Sequence, residues 1–151
     1  MLPKKEIINP SPHCVVISKR IIDAPRELVF EAWTNPELLK VWWGPKGFTN
    51  TFHIFDLKAG GRWSLTMHGP DGTNYENESV FIEIKSPEKL VWNHLSGHEF
   101  QVVATFEKLA SKTLVTFNMI FESTEECEKY NVFVVDANEQ NFDRLEALLA
   151  N

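Results

Sequence analysis

The hydrophobic positions near the start of the chain change from a continuous run to a helical spacing. Residues 15–22 are apolar and rich in β-branched side chains, which predicts a strand. Residues 25–33 place their apolar side chains on one side of a helix and their charged side chains on the other. Asp23 is a candidate cap for this helix and Pro25 lies in its first turn, so we expect a strand that leads directly into a helix.

A second short helix is predicted directly after the first. An Asn-Pro pair at 35–36 repeats the cap-and-proline signal, residues 37–43 have helical spacing, and a Gly-Pro pair at 44–45 ends the helix. Trp42 continues the leucine stripe of this helix and is therefore expected in the core. Its neighbour Trp43 points about 100° away around the helix, so the two indoles do not share one packing surface.

Between Phe48 and Phe121 the pattern changes to a period of two, interrupted by turn signals that fit six strands joined by short hairpins. One face of the predicted sheet is strongly aromatic. Residues 80–84 are apolar at both odd and even positions, so the sequence does not show which of these side chains face the core. The side chains expected on the aromatic face are Trp63, Leu65, Met67, Leu90, Trp92, His94, Phe100, Val102, Ala104, Phe106, Val115, Phe117, Met119 and Phe121.

The chain ends in a helical pattern that follows an acidic segment at 122–128. Its apolar side chains, Phe142, Leu145, Leu148 and Leu149, recur at helical spacing. An antiparallel sheet with one apolar face needs a cover, and a long terminal helix is the element of suitable length. We therefore predict an α+β fold with the order strand, two short helices, six strands and a long helix.

Length, charge and cysteine content narrow the class of protein. The 151 residues fit one domain, which we expect over residues 13–151 after a tail at 1–12. A net charge of −6 without a long lysine or arginine cluster argues against a nucleic-acid partner. Apolar runs are too short for a membrane span or a signal peptide, which favours the cytoplasm. Cys14 and Cys127 lie far apart and are interpreted as two reduced thiols.

The sequence contains none of the common motifs for nucleophilic catalysis, nucleotide binding or metal binding. We therefore expect no cofactor and no metal, and we assign no catalytic residue. His94 shares the parity of the aromatic face, where both a hydrogen-bonded core histidine and a ligand contact fit it. The oligomeric state, monomer or homodimer, is not encoded in any readable pattern.

Several stretches resemble the activator-of-heat-shock-protein-90-ATPase-like branch of the START/SRPBCC superfamily. The resemblance covers roughly residues 15–150. The stretch with the double tryptophan is the most specific. The matching stretches are "DAPRELVFEAWTNPELLKVWWGPKGF" at 23–48, "DLKAGGRW" at 56–63, "GPDGTNYENESV" at 69–80, "SPEKLVW" at 86–92 and "NFDRLEALL" at 141–149.

The resemblance implies the helix-grip fold, in which a curved antiparallel sheet wraps the C-terminal helix and leaves a cavity between them. Relatives in the superfamily bind lipids, sterols or polyketide-like rings, and the branch takes its name from a co-chaperone domain. One departure is visible. Members often carry a Gly-Trp pair just before the terminal "QxLDRL", whereas this chain reads "DANEQNFDRL" at 136–145, without tryptophan.

We predict a ligand-binding cavity walled by rings and apolar side chains, with Trp43 as a candidate gate. The same rings could instead fill the core, and parity does not distinguish a filled interior from a hollow one. Arg62, Glu78 and Arg144 are possible polar handles, although surface ion pairs also explain such residues. The predicted cavity residues are Trp33, Trp43, Trp63, Leu65, Met67, Trp92, His94, Phe100, Val102, Phe117, Met119, Phe142 and Leu145.

Three functions fit this sequence. The first is a binding module for a small apolar or amphipathic molecule such as a lipid, a sterol or a polyketide-like ring. The second is a co-chaperone-like interaction domain that stimulates a chaperone ATPase, for which the acidic segment at 122–128 could serve as a contact surface. The third, ranked last, is a cyclase or hydrolase-like enzyme that uses His94 with a carboxylate in the cavity.

Overall fold

A computed structural model of the protein describes residues 15–97 and 99–150. The predicted tail at 1–12 lies outside these residues, as do Cys14 and His98. The elements are β1 (Val15–Ile22), α1 (Arg26–Thr34), α2 (Pro36–Trp42), β2 (Thr49–Phe55), β3 (Arg62–His68), β4 (Asn74–Lys85), β5 (Lys89–His94), β6 (Phe100–Leu109), β7 (Lys112–Phe121) and α3 (Thr124–Leu149).

The seven strands form one antiparallel sheet in the order β1-β7-β6-β5-β4-β3-β2. The sheet is a meander from β2 to β7, and β1 closes it by pairing with β7, where Val15 lies opposite Ile120. The apolar core lies on the inner face of the sheet, against α1, α2 and α3. The predicted α+β helix-grip fold is confirmed, including the order of its elements.

A β-bulge explains the segment whose inner face the sequence left unassigned. The register of β4 against β5 shifts between Phe81 and Glu83, which inserts one extra residue into the strand. Phe81 is buried on the inner face. Because the side-chain alternation is interrupted at the bulge, no single parity describes residues 80–84.

The cap predicted for the first helix is wrong, whereas the cap of the second is confirmed. α1 begins at Arg26 with Pro25 as its N-cap and has no side-chain cap. Asp23 lies two residues before that position, too early to reach the first turn. At α2, Oδ1 of Asn35 accepts a hydrogen bond of 3.0 Å from the backbone N–H of Glu37, and Pro36 occupies the first turn.

The two neighbouring tryptophans differ in backbone conformation because α2 ends between them. Their rings nevertheless contact each other at 5.5 Å and both contact Trp33, so the expectation that they do not share a packing surface is wrong. Trp42 is the last helical residue and is 1% exposed, and its Nε1 donates to the carbonyl oxygen of Ala32 at 2.9 Å. Trp43 is the C-cap, with an extended backbone at ψ 136°. The change from helical to extended backbone turns the second indole toward the sheet, where its ring lies 5.1 Å from that of Trp63.

The last helix is longer than its apolar pattern indicated. α3 begins at Thr124 and therefore includes most of the acidic segment at 122–128, because carboxylates in a first helical turn are favourable to the helix dipole. Leu148 and Leu149 pack against the core as predicted. Among the described helices, none combines the length and the apolar character that a membrane crossing requires.

An ion-pair group centred on the half-buried Arg20 attaches the last helix to β1. Arg20 of β1 forms ion pairs with Glu139, Asp143 and Glu146, which lie on one side of α3. Burial opposes the charge of Arg20, but the hydrogen bonds to these carboxylates outweigh it and raise the pKa of the guanidinium. The second half of α3 is thereby held over the inner face of the sheet.

Candidate ligand-binding site

A cavity of about 170 Å³ lies between the inner face of the sheet and α3. Side chains of β3 to β7 form its floor and walls, and α3 covers it. Gly44 and Pro45, which follow α2, complete the lining at one side. A space of this size is larger than the voids of a close-packed interior, so the rings do not fill this part of the fold.

Three indoles and a phenyl ring form the apolar wall. The rings of Trp63 and Trp92 lie 5.5 Å apart at an angle of 77°, and Trp92 lies 6.1 Å from Phe117. Trp43 closes the group at 6.0 Å from Trp92. Such edge-to-face and tilted contacts fix each ring against its neighbours, so the wall is stiff and presents large apolar surfaces.

His94 and Asn77 form a polar pair at one side of the cavity. Nε2 of His94 lies 2.8 Å from Oδ1 of Asn77, and the imidazole stacks on Phe100 with ring centroids 4.5 Å apart. The amide of Asn77 donates through Nδ2 to the carbonyl oxygen of Tyr75 at 3.2 Å. This contact orients Oδ1 toward the imidazole, so Nε2 of His94 donates the hydrogen bond.

The helix side of the cavity carries two asparagines one turn apart. Asn138 is buried, and its Nδ2 donates to Oγ of Ser18 at 3.1 Å. Oδ1 of Asn141 is buried and has no hydrogen-bond partner among the described residues. Nε1 of Trp63, on the opposite wall, is buried without a partner in the same part of the chain. Both residues line the cavity, but neither of these two atoms is itself exposed to it.

Arg144 anchors the segment that borders the cavity. Burial lowers the pKa of its guanidinium, which points away from the cavity and toward the backbone that follows α2. Gly44 in this segment has φ of +98°, a backbone conformation that favours glycine. The guanidinium donates to the carbonyl oxygens of Val41, Trp43, Gly44, Pro45 and Phe48 at 2.8–3.2 Å.

The profile of the family described as "Activator of Hsp90 ATPase homolog 1-like protein" (AHSA1) matches residues 23–150. The chain belongs to this family. No curated protein matches the sequence. The AHSA1-like assignment therefore rests on the family profile and on the fold.

Solved structures share this fold over nearly the whole chain. A protein from Nitrosomonas europaea superimposes with a TM-score of 0.86 at 23% identity, covering 93% of this chain and 96% of its own. A protein from Mycobacterium smegmatis gives 0.82 at 21% identity, with 98% of both chains covered. An AHSA1-like protein from Aeromonas hydrophila gives 0.73 at 20% identity, covering 88% of this chain and 92% of its own. At these identities the likeness shows the fold alone.

Ten of the residues predicted for the cavity line it in this AHSA1-like chain. The structure places three others elsewhere. Trp33 and Phe142 border a void of only about 10 Å³ beside the cavity, and Leu145 of α3 is fully buried in the core. The ten lining residues are Trp43, Trp63, Leu65, Met67, Trp92, His94, Phe100, Val102, Phe117 and Met119.

The polar handles predicted from the sequence do not line the cavity. Arg144 donates hydrogen bonds to backbone carbonyl oxygens of residues 41–48. Arg62 and Glu78 lie on the opposite face of the sheet, where Nη2 of Arg62 is 2.7 Å from Oε1 of Glu78 and Ser64 donates to the same carboxylate. The hydrogen bond from Ser64 and the contact with Arg62 lower the pKa of Glu78.

Six lining residues were not predicted from the sequence. Two of them could have been predicted, because Asn138 and Asn141 lie on the same side of the last helix as Phe142 and Leu145. An amide at such a position faces the interior, where it must find a partner. The six residues are Gly44, Pro45, Asn77, Ser79, Asn138 and Asn141.

Proposed function

We propose that the protein binds a small apolar or amphipathic molecule in the cavity between the sheet and α3. The observation that carries the proposal is the hollow interior of about 170 Å³ behind walls of three indoles. Ligand sites are typically concave, mostly aromatic and apolar, with a few polar groups that fix orientation. The described lining has this composition.

The volume of the cavity sets the size of the ligand. An apolar cavity of roughly 150 Å³ accepts benzene, whereas pockets for drug-sized ligands start at about 300 Å³. The cavity of about 170 Å³ therefore fits a single ring with a small substituent. A sterol or a lipid chain would require α3 or the segment after α2 to move outward.

Thermal unfolding with a graded set of ligands tests this proposal. Toluene and phenol should raise the melting temperature at millimolar concentration, while cholesterol and palmitate should do so less, and native mass spectrometry should detect one bound ring per chain. Val102→Phe fills the cavity and should abolish the shift. Val103→Phe is the matched control, because Val103 is the next residue of β6 and points to the other face. Equal shifts in the two variants would count against the cavity as the binding site.

A second candidate function is protein binding through the first half of α3, as in a co-chaperone that stimulates a chaperone ATPase. Val132 and Phe133 are 80% and 77% exposed, which is unusual for adjacent apolar side chains. Between residues 122 and 136 the chain has five acidic residues and one lysine. Two exposed apolar side chains surrounded by acidic residues would complement a surface on the ATPase that is apolar at its centre and basic around it.

ATP turnover by a purified chaperone ATPase distinguishes this second function from the first. If it holds, adding the protein should raise turnover, and Phe133→Ser should remove most of the increase while leaving toluene binding unchanged. Ile17→Ser replaces another exposed apolar residue, on β1, and should have no effect. Stimulation that survives Phe133→Ser would contradict the surface proposed.

The enzyme hypothesis required a carboxylate beside His94 in the cavity. The described polar residues that line the cavity are Asn77, Ser79, His94, Asn138 and Asn141, and a carboxylate is not among them. Glu78, which lies between the lining residues Asn77 and Ser79, points to the other face of the sheet and contacts Arg62. The described residues therefore do not form the pair on which that hypothesis depended.

A further inference from the structure

Three polar residues lie side by side in the cavity wall that β4 and β5 form. Asn77 and Ser79 are two residues apart on β4 and therefore point to the same face of the sheet. Ser79 lies opposite Trp63 of β3 on one side and opposite His94 of β5 on the other. Opposite residues of an antiparallel pair share a face and have Cβ atoms about 5 Å apart. Asn77, Ser79 and His94, which all line the cavity, therefore form one polar patch beside the indole of Trp63.

The hydroxyl group of Ser79 is unpartnered within this polar patch. Asn77 and His94 are hydrogen-bonded to each other at 2.8 Å, whereas Oγ of Ser79 has no hydrogen-bond partner among the described residues. Ser79 is 3% exposed, and polar groups of such buried residues are nearly always hydrogen-bonded in folded proteins. A polar group of a ligand in the cavity would supply the missing partner.

The accessible surface of this hydroxyl group lies in the cavity. Nε1 of Trp63 and Oδ1 of Asn141 are enclosed atoms without a partner, but Oγ of Ser79 is not among such atoms and so keeps accessible surface. Beyond Cα the side chain of serine consists of one carbon and this oxygen, so a serine on the wall of a cavity presents its hydroxyl there. Because Ser79 lines the cavity and is otherwise buried, a ligand in the cavity can reach Oγ.

The charge and the rings of the lining define the rest of the ligand. The described lining contains no aspartate, glutamate, lysine or arginine. A buried ionic group needs a partner of opposite charge to offset its lost hydration, so the cavity matches a neutral ligand. Trp43, Trp92 and Phe117 lie about one ring width apart, and aromatic groups of this kind pack favourably against a further aromatic ring.

We infer that the ligand is a neutral aromatic alcohol of the size of phenol and that Ser79 binds its hydroxyl group. Two hydroxyl groups suit each other because each has one donor and two acceptor sites and each rotates, so either oxygen can accept from the other. The ring lies against the aromatic wall and the oxygen against the polar patch. This inference rests on the proposed binding function and specifies its ligand class and the residue that selects it.

Calorimetric titrations with phenol and toluene, two single rings of similar size, test the inference. Ser79→Ala removes the hydroxyl group and should weaken phenol binding about fivefold, as expected for one hydrogen bond, while toluene binding stays within about twofold. Ser64→Ala is the matched control: Ser64 is also buried but lies on the opposite face and donates to Glu78, so neither affinity should change. Intermolecular NOEs should connect the β protons of Ser79 with the ring protons next to the hydroxyl group of phenol.

The outcomes separate the inference from the function on which it rests. If toluene binds but phenol does not, or if Ser79→Ala weakens both ligands equally or neither of them, the ligand class is wrong and the cavity function stands. NOEs that place the phenol hydroxyl group away from Ser79 would also overturn the inference. If neither ligand binds, the proposed function and the inference fail together. A loss confined to phenol in Ser79→Ala and absent in Ser64→Ala supports both, and the retained toluene binding shows that the variant is folded.

Discussion

The guanidinium of Arg144 lies 2.8 Å from the carbonyl oxygen of Gly44, one hundred residues earlier in the chain. The same group reaches four further carbonyl oxygens of residues 41–48. The last helix is thereby connected to the segment that borders the cavity. Because one planar group with five N–H donors satisfies an irregular stretch of backbone, the shape of that border depends on one side chain.

Replacing Arg144 should therefore destabilise the protein strongly. Arg144→Met removes hydrogen bonds to five carbonyl oxygens and should lower the free energy of unfolding by about 3 kcal/mol, measured by urea denaturation. Arg144→Lys should recover only part of the loss, because an ammonium group cannot reproduce the planar fork. Arg62→Met is the control, since its exposed ion pair with Glu78 contributes at most about 1 kcal/mol. Equal losses in Arg144→Met and Arg62→Met would refute the anchoring role.

The caps of the two short helices provide a second prediction. Asn35→Ala removes the hydrogen bond to the N–H of Glu37 and should cost about 1 kcal/mol of unfolding free energy. Asp23→Ala should cost less than about 0.5 kcal/mol, because α1 has no side-chain cap. Guanidinium chloride denaturation of both variants measures the difference. A larger loss in Asp23→Ala would show that α1 is capped by Asp23 after all.

The two adjacent tryptophans should respond differently to the same substitution. Trp42→Phe loses the hydrogen bond to Ala32 and leaves a void, so it should destabilise the protein by about 2–3 kcal/mol without changing the affinity for toluene. Trp43→Phe should cost less stability and weaken toluene binding, since Trp43 lines the cavity. Thermal unfolding and toluene titration of each variant provide the comparison. The division of roles fails if Trp42→Phe is the variant that impairs binding.

The acidity of Glu78 predicts a pH dependence of stability. Ser64 and Arg62 lower its pKa in the folded protein below the ordinary value of about 4.5. A lowered folded pKa stabilises the protein above the unfolded pKa, and this contribution is lost as the pH falls through the folded pKa. Wild type should therefore lose stability below about pH 4.5 more steeply than Glu78→Gln in urea denaturation across pH 3–7. Glu107→Gln is the control, at an exposed position of β6, and its stability should depend on pH as in wild type. Parallel pH profiles for wild type and Glu78→Gln would contradict a contribution of Glu78 to stability.

The order of elements could be predicted from the sequence because local patterns determine it. The Asn-Pro pair at 35–36 and the alternation in β3 and β5–β7 depend only on neighbouring residues. Residues 80–84 could not be assigned, because a bulge is set by pairing with β5. Asp23 was misjudged because cap position depends on where the helix actually begins.

The candidate site was only partly predictable. Parity correctly placed Trp63 and Trp92 on the inner face, but hollowness depends on the sum of side-chain volumes from elements far apart in sequence. The role of Arg144 could not be predicted either, because its partners are backbone carbonyl oxygens, which every residue type carries. Asn138 and Asn141 lie on the same helix face as Phe142, which could have predicted that they face the cavity. A search for apolar residues at helical spacing does not find them, because asparagine is polar.

The most direct test of the binding proposal is an NMR titration of toluene followed through the indole N–H resonances of the chain's five tryptophans. Binding in the cavity should shift the resonances of Trp43, Trp63 and Trp92, which line it, and leave that of Trp42 nearly unchanged. Saturable shifts confined to the cavity indoles would support the proposal. An absence of saturable shifts at Trp43, Trp63 and Trp92 would contradict it.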